Sequence, residues 1–218
     1  MRGLEELGAE ASVVPLIAIE PVLDDDAFAG LVESGDHDWM VFTSANAVRV
    51  VGRLLPDARA RFAAVGPATA GALRELGLRP AFVPERFAAA EIANGLEPLS
   101  GVRVLLPQSE IAEPLLADEL RARGATVDVV DAYRTTPRRP TEEELSRMRG
   151  ADAILLASGS AARSLAQHGG TVEALVVCIG PTTEHAAREA GLEVGLVAEE
   201  ATGQGMIQAL VSHFGGRG

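Results

Sequence analysis

Phe42-Thr43-Ser44-Ala45-Asn46-Ala47 returns 114 residues later as Leu156-Ala157-Ser158-Gly159-Ser160-Ala161, and no other feature constrains the fold so strongly. At the same offset Val65-Gly66-Pro67-Ala68-Thr69 becomes Ile179-Gly180-Pro181-Thr182-Thr183, and Ala72-Leu73-Arg74-Glu75 becomes Ala186-Ala187-Arg188-Glu189. Asp38 and Asp152, Arg49 and Arg163, and Gly77-Leu78 and Gly191-Leu192 also keep it. A register held this long without insertion means two copies of one supersecondary arrangement. Each copy sets a small hydroxyl residue where an apolar run gives way to a helical pattern, and function is sought at that junction.

The 218 residues are divided by the repeat into two domains of roughly a hundred residues each. Apolar residues make up 47% of the chain, enough for two cores, while aromatics at 4% leave little to stack against single-stranded nucleic acid. A net charge of −12 repels nucleic acid and anionic membrane surfaces. No apolar run reaches the roughly 20 residues of a membrane span and no secretory pattern opens the chain, so a cytoplasmic monomer is expected. Cys178, the one cysteine, lies in a buried-strand pattern and reads as core filler. His37, His168, His185 and His213 lack ligand spacing, so no metal site is expected.

Short apolar runs alternate with helical patterns throughout. Strands are expected at Ala11–Pro15, Trp39–Thr43, Arg61–Val65, Arg79–Val83, Arg103–Pro107, Val127–Asp131, Ala153–Ala157, Ala174–Ile179 and Glu193–Ala198. Amphipathic helices fall between them, at Thr69–Leu76, Ile111–Arg123 and Thr183–Ala190, each followed by a glycine suited to a left-handed C-cap. Strands apolar on both faces, alternating with helices, specify an α/β fold with parallel sheets covered by helices. Proline-rich joins at Leu16–Val22 and Ala132–Pro140 read as paired crossovers between domains, and Thr141 with Glu144 reads as a capping box.

The repeat exposes a gap. Leu120-Arg121-Ala122-Arg123-Gly124-Ala125 matches Leu4-Glu5-Glu6-Leu7-Gly8-Ala9 at an offset of 116, yet a strand at Val102–Leu106 precedes only the later copy. A missing first strand is the expectation for the first copy. In a five-stranded doubly wound sheet ordered 2-1-3-4-5 that strand is central. The alternative is that this copy simply starts at its second element.

The junctions themselves carry the chemistry. Ser44 is placed to cap a helix, as is Ser158 or Ser160 in the second copy. In the Gly-Pro-x-Thr motif, Gly66 and Gly180 allow a close turn, Pro67 and Pro181 fix φ, and Thr69 and Thr183 stand at the helix entrance. A well-capped helix explains each of these alone. The functional reading is that strand-to-helix turns of a parallel sheet gather along its carboxyl edge, where helix N-termini offer free N–H groups to carboxylate or phosphate. Two such rims facing each other would hold a polyanion. Tyr133, the one tyrosine, lies at a join, either as an amphipathic residue at a seam or as a phenol donating into a cleft.

Together these stretches resemble the uroporphyrinogen-III synthase family. The resemblance is carried by Asp38-Trp39-Met40-Val41-Phe42-Thr43-Ser44-Ala45-Asn46-Ala47-Val48, Ala64-Val65-Gly66-Pro67-Ala68-Thr69-Ala70, Asp131-Ala132-Tyr133-Arg134-Thr135, Ile179-Gly180-Pro181-Thr182-Thr183 and Ala201-Thr202-Gly203-Gln204-Gly205-Met206. It implies two flavodoxin-like α/β domains joined by a two-stranded β-ladder, each drawing strands from both copies: residues 18–134, and residues 1–17 with 135–218. It implies a hydro-lyase that cyclises the linear tetrapyrrole hydroxymethylbilane to uroporphyrinogen III, inverting ring D with loss of water and needing no cofactor or metal. Tyr133 falls on the family's cleft tyrosine, which helps the terminal hydroxyl leave. Ser44, Gly66, Thr69, Ser158, Gly180 and Thr183 fall on positions expected to grip substrate carboxylates.

Two departures stand out. The family's opening strand and its Thr-Arg-Pro-like turn are not found, and Gln108-Ser109 and Pro114 replace an Arg-Gly and a later Arg-Glu. They favour a rival reading, a two-lobed tetrapyrrole-binding or sensor module without turnover. A sugar-nucleotide transferase of two Rossmann-like lobes suffers from the want of a phosphate-gripping glycine loop.

Overall fold

The computed structural model describes residues 2–56, 58–85, 89–169 and 173–215. Helix α1 (Arg2–Glu5) is followed by β1 (Ile17–Pro21), α2 (Asp25–Ser34), β2 (Trp39–Phe42), α3 (Ala45–Val51), β3 (Arg61–Ala64), α4 (Pro67–Glu75) and β4 (Pro80–Phe82). Then come α5 (Ala89–Gly95), β5 (Arg103–Ser109), α6 (Leu115–Ala122) and β6 (Thr126–Pro137). The last third holds α7 (Glu142–Arg149), β7 (Ala153–Leu156), α8 (Gly159–His168), β8 (Leu175–Cys178), α9 (Pro181–Glu189), β9 (Val194–Val197) and α10 (Gly203–Gly215). Two compact units result: Ile19–Arg134, and the described residues of Met1–Ala18 with Thr135–Gly218.

In the Ile19–Arg134 unit the sheet runs β6-β5-β2-β3-β4, with β1 beyond β6. Counted from β5, the five parallel strands follow the 2-1-3-4-5 order, so strands of the second repeat copy (β5, β6) complete a sheet begun by the first. Side-chain alternation sorts the core into two layers. Met40, Phe42, Phe62, Ala64 and Leu105 point to one face, where α2, α3 and α4 supply Phe28, Val32, Val48, Val51, Ala70 and Leu73. Trp39, Val41, Ala63, Val104 and Leu106 point to the other, under Ile92 of α5, Leu96 just after it, and Leu116 and Leu120 of α6. Burial on both faces is why these strands read as unbroken apolar runs.

The other unit holds a parallel sheet β7-β8-β9. Leu145, Met148, Ala162, Leu165 and Ala187 cover one face from α7, α8 and α9, while Leu4, Met206 and Leu210 cover the other from α1 and α10. Residues 11–15, expected as a strand, belong to none: among the described residues they pair into neither sheet, and Val13 is left 62% exposed. The anchor instead lies next in sequence: Leu16 is buried, and its carbonyl accepts from Arg138 N–H at 2.8 Å and from the Ser164 hydroxyl at 2.5 Å.

The two proline-rich joins contain strands. Leu16–Val22 contains β1, and Ala132–Pro140 contains the end of β6. Leu16 pairs with Arg138 and Val22 N–H donates to Ala132 C=O at 3.1 Å, partner numbers falling as residue numbers rise, so β1 runs antiparallel to β6. Pro21 and Pro137 close their strands, where a missing N–H costs no rung. Local caps follow the sequence closely. Gly77, Gly124 and Gly191 take positive φ after their helices, and Thr141 and Glu144 exchange both bonds of a capping box.

Candidate functional site

At the carboxyl edge of the Ile19–Arg134 sheet, β2 and β3 end at the two expected junctions. Ser44 is the N-cap of α3, its hydroxyl oxygen accepting from Asn46 N–H at 3.0 Å. Gly66 caps α4 with φ 110° and ψ 161°, a region essentially closed to residues with a Cβ. It turns the chain so that Pro67 opens the helix and Thr69 occupies its third position. Pro67 has no N–H, and by helix geometry those of Ala68 and Thr69 have no acceptor within α4.

Tyr133 lies near the end of β6, 6% exposed, its ring packed in the layer beneath α2–α4. Its hydroxyl donates to Ser44 Oγ at 3.0 Å, bringing together two motifs that stand 89 positions apart. One register position away lies Ser109, paired with Tyr133 across β5–β6. The Ser109 hydroxyl is enclosed and has no hydrogen-bond partner among the described residues. Beside them Glu110 N–H donates to the Tyr133 carbonyl at 3.1 Å, and Arg134 donates both Nε and Nη2 to the Glu110 carboxylate at 2.6 and 2.9 Å. The guanidinium bond holds the Glu110 carboxyl below the usual range despite some desolvation.

In the other unit, Ser158 caps α8 and accepts from Ala161 N–H at 3.2 Å, settling the choice between Ser158 and Ser160. Gly180 caps α9 with φ 179° and ψ 178°, ordinary extended backbone, so the two glycines of the repeated motif differ in conformational demand. Thr183 is the third residue of α9, as Thr69 is of α4. Both threonines are buried, at 5% and 4% exposure, with hydroxyls that are not fully enclosed and have no hydrogen-bond partner among the described residues.

Sequence reasoning thus located the caps at Ser44, Gly66, Thr141, Ser158 and Gly180, overlooked the Asp24 cap of α2, and missed the contacts. Ser44 with Tyr133, and Glu110 with Arg134, are distant in the chain, and no spacing rule links them. Only the position of Glu110 just past a strand end marked it as a rim residue. Among the described residues no group of three or more His, Cys, Asp or Glu is placed to hold a metal ion, and no helix is long and apolar enough to cross a membrane. What this rim can do is offer neutral donors, namely amide N–H groups, hydroxyls and one phenol, to an anionic partner.

Known proteins are similar to this chain along most of its length. A family model described as Uroporphyrinogen-III synthase HemD matches residues 1–208. The Uroporphyrinogen-III synthase of Synechococcus elongatus is 27% identical over 227 residues, covering 94% of this chain and 82% of that protein. The Porphyrin biosynthesis protein HemD of Ruminiclostridium josui is 27% identical over 237 residues, covering 98% of this chain. Only 45% of that longer protein is matched, so the chain spans about half its length. The solved uroporphyrinogen-III synthetase of Helicobacter pylori superposes with a TM-score of 0.66 at 18% identity, over 93% of this chain and 95% of that one, which bears on the fold alone. With a match running from residue 1 to residue 208, and the paired strand-end motifs inside it, the chain belongs to the uroporphyrinogen-III synthase family.

Proposed function

We propose that this protein is a hydro-lyase that converts hydroxymethylbilane to uroporphyrinogen III, working as a cytoplasmic monomer without cofactor, metal, nucleic acid or membrane. Its two flavodoxin-like domains, residues 1–17 with 135–218 and residues 18–134, are joined by the β1–β6 ladder. The observation that carries the reading beyond family membership is the Tyr133 phenol held on Ser44 at a rim of free helix amides.

The substrate is a linear tetrapyrrole with many carboxylates. Gly66, Thr69, Gly180, Thr183 and Ser158 present backbone N–H groups and hydroxyls to those arms, so an acidic protein binds an acidic ligand through dipoles rather than net charge. Tyr133 donates its proton to the terminal hydroxyl, which departs as water and leaves a cationic azafulvene. The substituted carbon of the last ring attacks this centre to give a spiro intermediate. Its fragmentation and re-closure at the neighbouring position invert ring D, and loss of a ring proton returns the balance to neutral. Since the substrate also closes unaided to the non-inverted isomer, the protein's contribution is mainly orientation.

Hydroxymethylbilane generated in place, with the products oxidised and resolved by chromatography, tests this. Uroporphyrinogen III in excess over isomer I is the expected result. Binding of the tetrapyrrole with an unchanged isomer ratio would make the protein a sensor of the same fold.

A further inference from the structure

The two strand-end serines are copies by sequence and differ in what they hold. Ser158 accepts one backbone N–H, from Ala161 three residues on, at 3.2 Å. Ser44 accepts from Asn46, two residues on, and takes the Tyr133 hydroxyl as well, each at 3.0 Å. At the repeat offset of Leu120 and Leu4, Tyr133 corresponds to Ile17, so the phenol–serine couple has no counterpart in the other unit.

A serine oxygen has two lone pairs and one proton. Both lone pairs of Ser44 are engaged, so its one remaining capacity is to donate. Two hydroxyls in contact place a single proton between their oxygens. If Ser44 turns its proton toward Tyr133, the phenolic O–H is freed to point outward, while Asn46 N–H still donates to Ser44. As the phenol gives up its proton, the Ser44 hydroxyl is then aligned to donate to the phenolate oxygen. The chain of donors Asn46 N–H, Ser44 O–H, Tyr133 O is continuous and rooted in backbone.

We propose that Ser44 is a positioning residue acting through Tyr133, rather than a ligand for a substrate carboxylate: it fixes the rotation of the phenol and returns a hydrogen bond as the proton leaves. This rests on Tyr133 being the proton donor of the reaction.

A double-mutant cycle tests it, using Ser44→Ala, Tyr133→Phe and both together, with Ser44→Thr as the conservative rescue. Ser44→Gly keeps most of the cap's conformational preference and guards against a folding failure. Two readouts are taken, the initial rate of uroporphyrinogen III formation and the urea midpoint. Removing one neutral hydrogen bond should lower kcat by about 3–10-fold with little change in KM. That loss should vanish in the Tyr133→Phe background, and Ser44→Thr should restore the rate. The midpoint shifts should be non-additive in the same sense, independently of turnover. An active protein in which Ser44→Ala costs the same with or without the phenol, or raises KM at constant kcat, overturns the proposal and leaves the functional reading intact. A wild-type protein that forms no uroporphyrinogen III overturns both, whatever the midpoints show.

Discussion

Gly66 and Gly180 occupy the same place in a repeated motif, yet replacing each with alanine should have opposite consequences. Gly66 sits at φ 110°, ψ 161°, where a Cβ clashes with the backbone and strain of about 1–3 kcal/mol is typical. Alanine also stiffens the unfolded chain, offsetting about 0.4–1 kcal/mol of that. The net expectation for Gly66→Ala is a loss centred on about 1.3 kcal/mol and reaching at most about 2.6 kcal/mol. Gly180, at φ 179°, ψ 178°, lies in extended space, and its added Cβ would meet Ala201 Cβ at 3.6 Å, an ordinary contact. Only the unfolded-state term remains there, so Gly180→Ala should be neutral or more stable by up to about 1 kcal/mol. Urea unfolding of the two variants and the parent, followed by circular dichroism with slopes compared, reads the difference directly. The isomer assay adds a second readout, because relief of strain at Gly66 must shift the Ala68 and Thr69 amides, whereas those of Thr182 and Thr183 stay put. Equal midpoints for the two variants, or a Gly66→Ala protein as stable as the parent, would refute the assignment of strain to one copy alone.

Tyr133→Phe keeps the buried ring and loses one hydrogen bond, so stability should fall by about 1 kcal/mol. The rate of uroporphyrinogen III formation should fall about 10²–10⁴-fold; a wild-type rate would remove Tyr133 from the chemistry. Asp128 lies 2.8 Å from His37 Nε2 and 3.2 Å from an Arg103 Nη, and these contacts, His37 first, hold its carboxyl below the usual value. Its contribution is therefore complete above the unfolded value of about 4 and is lost as pH falls through the lower folded one. Urea midpoints between about pH 6 and pH 3 should drop more steeply for the parent than for Asp128→Asn. Parallel curves would argue against the pairing. Thr141→Ala removes one half of the capping box, in which Glu144 N–H donates to Thr141 Oγ1 at 3.2 Å, and should cost about 0.5–2 kcal/mol in the same urea titration.

The parallel strands β2 to β9 were legible as short apolar runs bounded by turns and caps, most plainly in β2, β5 and β8 where both faces are buried, and the caps themselves are short-range chemistry. Ala11–Pro15 had the right composition and failed for want of a partner strand, something composition does not encode. Leu16–Val22 and Ala132–Pro140 read only as crossovers, and their strand character was hidden by prolines that terminate β1 and β6 at Pro21 and Pro137 instead of interrupting them. Within the site, residue types and their junctions were readable from the repeat, since a duplicated motif exposes its own fixed points. Conformation was not: Gly66 and Gly180 occupy the same place in the repeated motif and differ in φ, which the motif does not encode. Nor was the contact of Tyr133 with Ser44, which exists only once β6, β5 and β2 stand side by side.

The Ile19–Arg134 unit is an insertion within the chain of the other, and β1 and β6 fasten its two ends, Val22 N–H to Ala132 C=O. Once that hairpin-like clasp closes, Ala18 and Thr135 are delivered together as though they were sequence neighbours. The entropy of closing a loop of that length, about 4 kcal/mol by the logarithmic law, has by then been met by the inserted unit. The outer unit therefore inherits its cooperativity. Loosening the clasp should lower the stability of residues 135–215 without touching any of their own packing, and ribosomal synthesis should complete the inner unit before the outer one begins to hold.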